Sequence, residues 1–440
     1  MSAASERRGW YFYDWANSAF NTSVTTVFLG PYLAEVAAAA ADASGFVFPL
    51  GIRVRSGSFF PYVVSLSVIL QVFFLPLVGA IADRSGRKRE LLGFFAFIGA
   101  LATMGLYFVT ADQYLLGGVL FVIANVAFGC SLVVYNSFIP QICHELDPDT
   151  VSARGWALGY AGGGLLLLGN LVLLRLAPSI GLSTADAVRI SLLSAGAWWG
   201  LFTLVPLKAL RDSPPPGPAD HRGSALSAGW RQLRTTAREA RSFPETLKFL
   251  FAYLLYNDGI QTVIALAAVY GAEELLMEQD TLALAILIVQ FIAIAGALLM
   301  GRLGLRYGAK RVILASLVLW TAVVAAGYLL PAGDVTGFFA LAVAIGLVLG
   351  GSQSLSRSLY ARMVPKGREA EYFGFYEVSE RGTSWIGPLL FGLALQVTDS
   401  YRIAIVSLVV FFVMGGLLLA RVDVGRAIRE SETDLKHAWR

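Results

Sequence analysis

Three groups of polar and charged residues stand inside long apolar stretches of the chain. They are Asp14, Asn17 and Asn21; Asn257, Asp258 and Gln261; and Glu377, Glu380 and Arg381. Carboxylates, carboxamides and a guanidinium can bind a small polar solute, and a carboxylate can also carry a proton. An ionisable residue within an apolar span costs about 3 kcal/mol even on lenient insertion scales, so each one needs a reason. We therefore take these nine residues as candidate substrate-binding or coupling residues.

The first group lies on one side of its predicted helix. At about 100° per residue, Asp14, Asn17 and Asn21 fall, with Ser18 and Thr25, within roughly a third of the helix circumference. The opposite side of this segment is apolar. We expect the polar side to face a cavity.

The second group lies near the middle of its predicted span, about 18 Å from either end at 1.5 Å per residue. Asn257 and Gln261 share one stripe of the helix, with Asp258 beside it. A carboxylate at this depth pairs, faces water or takes up a proton. Asp258 is our first choice for a proton- or substrate-linked carboxylate; the alternative is a static hydrogen bond between helices.

The third group also occupies one helix face. Glu377 and Arg381 are four residues apart and could neutralise each other. Two interpretations stay open at this point. The cluster could bind substrate or exchange partners between states, or it could be a static ion pair near the membrane edge.

Other polar residues within apolar segments could line the same cavity, although packing or interhelical hydrogen bonding is the expected role of each. They are Gln71, Asn125, Tyr135, Asn136, Gln290 and Gln353. A run of glycines from Gly162 to Gly164 is expected to permit close helix approach.

The elements that must position these residues are membrane-spanning helices. The chain of 440 residues is 56% hydrophobic and 15% charged, with a mean hydropathy of +0.65. Apolar runs of this length predict an all-α membrane protein with twelve transmembrane helices. The predicted spans are 10–33, 59–82, 91–110, 114–137, 154–176, 187–207, 246–270, 281–303, 312–331, 337–359, 371–397 and 402–421.

The distribution of Lys and Arg predicts the orientation. With a cytoplasmic N-terminus, the cytoplasmic segments hold 28 of the 34 Lys and Arg residues, a count that includes Arg357. The outer loops hold five, and Arg381 lies within a span. Both termini are therefore predicted to be cytoplasmic. The net charge of +4 is explained by orientation and contact with anionic membrane lipids, and we expect no nucleic-acid partner.

The chain is predicted to consist of two similar halves. Residues 208–243 break the apolar pattern with a proline-rich and basic stretch, which predicts a cytoplasmic linker. This gives a six-helix bundle at 1–207, a second at 244–421 and a cytoplasmic tail at 422–440, arranged with pseudo-symmetry. The spacing of Tyr13, Asn17 and Asn21 recurs in the second half as Tyr253, Asn257 and Gln261. Parallel repeats of six spans are a recurring transporter design.

A charged hairpin from Gly79 to Arg89 recurs more weakly from Gly301 to Arg311. Its candidate gating residues are Gly79, Asp83, Arg84, Gly86 and Arg87. The glycines allow close packing and a sharp turn, while the cations hold the loop in the cytoplasm. A negative charge at Asp83 would be favoured at the N-terminus of span 11 by the helix dipole. The second copy has Leu305 in place of the aspartate, so only the first hairpin keeps a carboxylate at this position.

The segment from Gly79 to Arg89 resembles the loop between helices 2 and 3 of the major facilitator superfamily. Four further segments resemble the vacuole effluxer family within it: Tyr13 to Phe20, Tyr256 to Thr262, Gly350 to Ser358 and Pro365 to Tyr376. That family contains a yeast autophagy-related amino-acid exporter and many bacterial members, and the resemblance covers roughly residues 7–421. It implies the major facilitator fold, alternating access, a hairpin that latches the two halves, and a place in a bacterial inner (plasma) membrane.

The sequence therefore predicts a secondary active transporter of a small polar solute, with amino acids as the first candidates. Proton coupling is a hypothesis based on Asp258. We expect a monomer, no cofactor and no metal site, and no enzymatic activity, because no phosphate-binding loop or nucleophile–base motif is present. The alternatives are a membrane sensor that kept a transporter fold without transporting, and an exporter of lipophilic compounds.

Overall fold

The protein is described by a computed structural model that covers residues 3–143, 147–212, 243–381 and 386–438, with side chains as far as Ser431. Nearly all of the described chain is helical. The helices are α1 (Ala3–Ala19), α2 (Leu29–Ala39), α3 (Phe59–Ser85), α4 (Lys88–Gly105), α5 (Tyr114–Asn136), α6 (Ile139–Ile142), α7 (Pro148–Leu176), α8 (Thr184–Ala209), α9 (Pro244–Glu273), α10 (Gln279–Tyr307), α11 (Ala309–Leu329), α12 (Val335–Ala361), α13 (Glu369–Arg381), α14 (Ile386–Thr398), α15 (Tyr401–Ser407), α16 (Val409–Ala420) and α17 (Val424–Ala438).

Ten helical segments of the described chain are long and apolar enough to cross a membrane. They are Ser56–Ser85, Lys88–Phe108, Tyr114–Ile142, Pro148–Ile180, Thr184–Ala209, Pro244–Glu273, Gln279–Tyr307, Ala309–Leu329, Val335–Ala361 and Tyr401–Ala420. The all-α membrane architecture is thus confirmed. The other two predicted spans correspond to α1–α2 and to α13–α14, which are not among these ten segments, and the count of twelve stays a prediction.

The first predicted span differs from the regular helix that was expected. Residues Phe20–Phe28 form a π-helix between α1 and α2. Each π-helical turn holds more residues than an α-helical turn, so the 100° spacing fails beyond Phe20 and the predicted stripe does not continue unchanged to Thr25. π-Helical segments occur frequently at functional sites.

A small antiparallel hairpin lies in the loop between α2 and α3. Strand β1 (Phe46–Val47) pairs with β2 (Val54–Arg55). The guanidinium of Arg53 stands 3.8 Å from the centre of the Phe46 ring, a favourable cation–π distance.

The chain separates into two compact units. The first contains Met1–Phe74, Arg87–Tyr135 and Leu158–Asp212. Its core includes the Trp10 ring, which stacks on Tyr135 at 4.4 Å, and Phe20, which packs against Phe128 and Trp199. The stack joins the middle of α1 to the end of α5.

The second unit contains Leu75–Gly86, Asn136–Ala157 and the described residues from 243 onward. Its core includes the rings of Tyr253 and Tyr376, stacked at 4.5 Å, and those of Phe249 and Tyr360 at 5.9 Å. The last stack joins the start of α9 to the end of α12. The division into bundles at 1–207 and 244–421 and the linker at 208–243 stay predictions, and most of the linker lies outside the described residues.

Candidate substrate and gating site

Helices α9 and α13 bring two of the predicted polar groups together in the second unit. The Tyr253 hydroxyl donates to the Glu380 carboxylate at 3.2 Å. One turn further along α9, the Asn257 side-chain amide donates to the backbone carbonyl of Glu380 at 3.1 Å. Asn257 is fully buried. The two helices are therefore held together by hydrogen bonds at the level of the candidate site.

Glu377 is the centre of a buried charge network. Its carboxylate lies 3.2 Å from the Arg381 guanidinium and accepts a hydrogen bond of 2.7 Å from the Asn136 side-chain amide. The carboxylate side chain is 1% exposed. The ion pair expected between Glu377 and Arg381 is thus present, and Asn136, at the end of α5, is added to it.

Arg357 belongs to the same network, which corrects the expectation that it lies in a cytoplasmic segment. It is buried within α12 at 2% exposure. Its guanidinium donates to the Ser152 hydroxyl at 2.9 Å, to the Ser152 backbone carbonyl at 3.0 Å and to the side-chain oxygen of Asn136 at 3.4 Å. It also stands 5.2 Å from the Trp156 ring. The serine-rich run that surrounds Arg357 inside an apolar helix was the sequence signal for this site.

Asp258 lies beside this network on α9 but faces different surroundings. It is 2% exposed, and within the described chain neither carboxylate oxygen has a hydrogen-bond partner. The backbone N–H of Gly387, in the first turn of α14, lies close by without meeting hydrogen-bond geometry. Gly387 in turn packs directly on Thr262, whose hydroxyl donates to the Asp258 carbonyl at 2.7 Å. Gln261 is half-buried on the same helix.

The polar residues of α1 belong to the first unit, and a neighbouring helix covers part of them. Asp14 and Asn17 are buried, whereas Asn21, in the π-helix, is exposed. Helix α7 packs closely against α1 at Gly159. A methyl group added there would lie only 2.7 Å from the Ser18 hydroxyl. Within the expected cavity-facing surface, Asn21 is thus exposed, and Ser18 and Thr25 are half-buried. The nearby glycines of α7 permit close helix approach, as expected from the sequence.

The first hairpin makes the contact that was expected for Asp83. Its carboxylate accepts hydrogen bonds from the backbone N–H groups of Ala370 at 3.1 Å and Glu371 at 2.9 Å. These are orphan donors in the first turn of α13, which the helix cannot satisfy by itself. Gly79 touches the same turn, since a methyl group there would lie 2.8 Å from the Glu371 Cα. We call this the first hairpin contact.

The other predicted gating residues, Arg84, Gly86 and Arg87, lie near the first hairpin contact in the chain but have different surroundings. Gly86 directly follows the end of α3 and has a φ of +63°, which favours glycine. Arg84, in the last turn of α3, is half-buried. Arg87 lies in the first unit, where its exposed guanidinium is 3.6 Å from Glu90. An exposed pair of this kind contributes little to stability.

The sequence did not predict a second contact, between the end of α10 and the start of α7. Gly301 packs on Ala153, where an added methyl group would lie 2.5 Å from the Ala153 side chain. Asp149 accepts a hydrogen bond of 2.5 Å from Ser358 and lies 3.0 Å from the Arg362 guanidinium. We call this the second hairpin contact. Its signal was the Gly301 repeat, but the partners of Asp149 come from α12 and its C-terminal end, far away in the chain.

Comparisons with known proteins show the family to which the chain belongs. The family described as "Vacuole effluxer Atg22 like" matches residues 2–432. YxiO of Bacillus subtilis, an uncharacterised MFS-type transporter, is 29% identical over 98% of both chains. Autophagy-related protein 22 of Yarrowia lipolytica is 29% identical over 87% of this chain and 78% of its own length.

Solved structures share the fold. The proton:xylose symporter XylE matches with a TM-score of 0.67 at 13% identity, over 95% of both chains. A bacterial homologue of the iron transporter ferroportin matches with a TM-score of 0.65 at 14% identity, over 95% of this chain and 98% of its own. At such identity the likeness shows the fold alone. Together with the family match, it establishes that this chain belongs to the Atg22-like vacuole effluxer family of the major facilitator superfamily.

Proposed function

We propose that this transporter moves a small polar solute by alternating access, with amino acids as the first candidates. The observation that supports this best is the buried charge network of Arg357, Asn136, Glu377 and Arg381. Charges within membrane spans are costly and usually line a solute or ion path. A membrane protein without such a path would avoid that cost with an apolar core.

The chemistry of the network suits a zwitterion. Glu377 and Glu380 supply negative charge on α13, and Arg381 supplies positive charge on the same face. An α-amino group and an α-carboxylate could replace the partners that these side chains have in the absence of solute. Exchange of partners, rather than creation of new charge, would keep the burial cost nearly constant during transport.

We assign the coupling role to Asp258. A buried carboxylate without a hydrogen-bond partner in the described chain is stable only if it is neutral or meets a cation. Binding and release of one proton there would couple the solute to a proton gradient. The first turn of α14 is close enough for its N–H groups to favour the charged form once the proton leaves.

We assign the gating role to the first hairpin contact. The residues are Gly79, Asp83, Arg84, Gly86 and Arg87, with Asp83 as the member whose side chain accepts hydrogen bonds from the first turn of α13. Opening of this contact would release the first turn of α13, which is the helix that holds Glu377 and Glu380. We further propose a monomer in a plasma membrane with both termini in the cytoplasm.

The test is counterflow in proteoliposomes loaded with a panel of amino acids, followed by uptake driven by a pH gradient. Asp258→Asn should keep counterflow while losing acceleration by the gradient, because exchange of solute for solute needs no net proton movement. Asp112→Asn, in an exposed loop, is the matched control. Unchanged gradient-driven uptake in Asp258→Asn would remove the coupling role.

A transport-free sensor would give a different pattern. Amino acids would then raise the thermal stability of the purified protein, and no counterflow would be measurable for any of them. That result would overturn the proposed function.

A further inference from the structure

Helices α3 and α5 share a polar cluster in the first unit that consists of Ser67, Gln71 and Asn125. The Asn125 amide donates to the Ser67 hydroxyl at 2.8 Å, and Ser67 donates to the Val64 carbonyl at 2.7 Å. Gln71 lies one turn beyond Ser67 on the same face of α3. All three residues are at least nine-tenths buried, with Gln71 at 1% exposure.

Gln71 is the exception within this cluster. Among the described residues, neither the amide nitrogen nor the carbonyl oxygen of its side chain has a hydrogen-bond partner. Of the two roles expected from the sequence, packing or interhelical hydrogen bonding, the second is not found for Gln71 among the described residues. A buried polar group without a partner costs roughly 1–3 kcal/mol in proteins, and hydrocarbon surroundings offer no water to reduce that cost. A methionine of similar length would pack there without this cost.

The position of Gln71 on α3 allows its surroundings to change. Pro76 lies five residues further along and cannot donate to the Val72 carbonyl, which weakens the helix at this turn. The same helix passes from the first unit to the second between Phe74 and Leu75. A bend at this turn of α3 would change the packing around Gln71.

We propose that Gln71 contacts the transported solute and recognises an uncharged group that both donates and accepts hydrogen bonds, such as a carboxamide or hydroxyl. This rests on the proposed function. The side chain of Gln71 presents one donor group and one acceptor, and none of the three residues in the cluster is ionisable. Asn125, the most exposed of the three, keeps its carbonyl oxygen as a second acceptor. An amino acid with a polar, uncharged side chain fits this set better than an aliphatic one.

The test compares L-glutamine with L-methionine, which have similar length but differ in the carboxamide. Each is measured as a competitor of counterflow in proteoliposomes containing wild type, Gln71→Met or Gln396→Met, a matched change at an exposed position. Wild type and Gln396→Met should favour glutamine by about tenfold or more, and Gln71→Met should lose most of that preference. Gln71→Met should also melt at a higher temperature without solute, because an unpaired polar group has been removed.

Two results separate failure of this inference from failure of the proposed function. If wild type exchanges amino acids and Gln71→Met keeps the same preference, Gln71 is structural and the inference is wrong. If wild type exchanges no amino acid, the proposed function fails first and the inference fails with it. Should Gln71→Met not fold, Gln71→Asn keeps the carboxamide on a shorter side chain. It should retain the preference in part, and an unchanged preference would again contradict the inference.

Discussion

The two hairpin contacts of the second unit use the same geometry with different chemistry. In each, a glycine near the end of one helix packs against the start of another helix: Gly79 against α13 and Gly301 against α7. The hairpins also turn alike, since Gly86 and Gly308 have positive φ values of 63° and 88°. The repeat therefore preserves the backbone contact, while the side chains around it have diverged.

The two contacts differ in which group accepts hydrogen bonds from the backbone N–H groups in the first turn of each helix. Helix α13 depends on Asp83, which lies 287 residues away from Ala370 in the chain. Helix α7 is capped by its own neighbour, because Asp147 accepts the N–H of Asp149 at 2.9 Å. Separation of the first contact leaves α13 without its cap, whereas separation of the second leaves α7 capped. Opening of the first hairpin contact therefore costs free energy in α13 itself, because the N–H groups of its first turn lose their acceptor.

The largest effect is expected from Asp83→Ala. It removes two hydrogen bonds to a charged acceptor, each worth roughly 1.5 kcal/mol or more, and leaves two N–H groups in the first turn of α13 unpaired. Counterflow should fall by more than about tenfold, measured beside Leu305→Ala, the same position in the second hairpin. Leu305 is half exposed, so its replacement should change counterflow less than about twofold. An equal loss of counterflow in Asp83→Ala and Leu305→Ala would show that the two hairpins do not differ in their importance for transport.

Replacement of Gly79 or Gly301 by alanine should have a smaller effect on counterflow than Asp83→Ala, and the two effects should differ. A methyl group at Gly79 would meet the backbone of Ala370 and Glu371, which cannot rotate away, at a cost of roughly 1–3 kcal/mol. A methyl group at Gly301 would meet mainly the Ala153 side chain at 2.5 Å, which a small helix shift can relieve. Gly79→Ala should therefore slow counterflow more than Gly301→Ala. The reverse order would show that the second contact is the tighter one.

The sequence predicted the membrane architecture and the contact of Asp83 with the first turn of α13, because each depends on local patterns: apolar run length, hairpin residues and the helix dipole. It misplaced Arg357, since a count of positive charges cannot show that Ser152 and Asn136, 205 and 221 residues away, surround the guanidinium. The π-helix at Phe20–Phe28 was also missed. Its residues are compatible with either helix type, and packing in the folded unit decides between them.

The most direct test of the gate is amide hydrogen exchange at Ala370 and Glu371 in membrane-embedded protein, with and without solute turnover. Both N–H groups donate to the Asp83 carboxylate, so their exchange reports opening of the first hairpin contact. We predict protection at rest, faster exchange during turnover, and fast exchange in Asp83→Ala under both conditions, while Asp149 in α7 changes less. Equal protection of Ala370 and Glu371 at rest and during turnover would contradict the account.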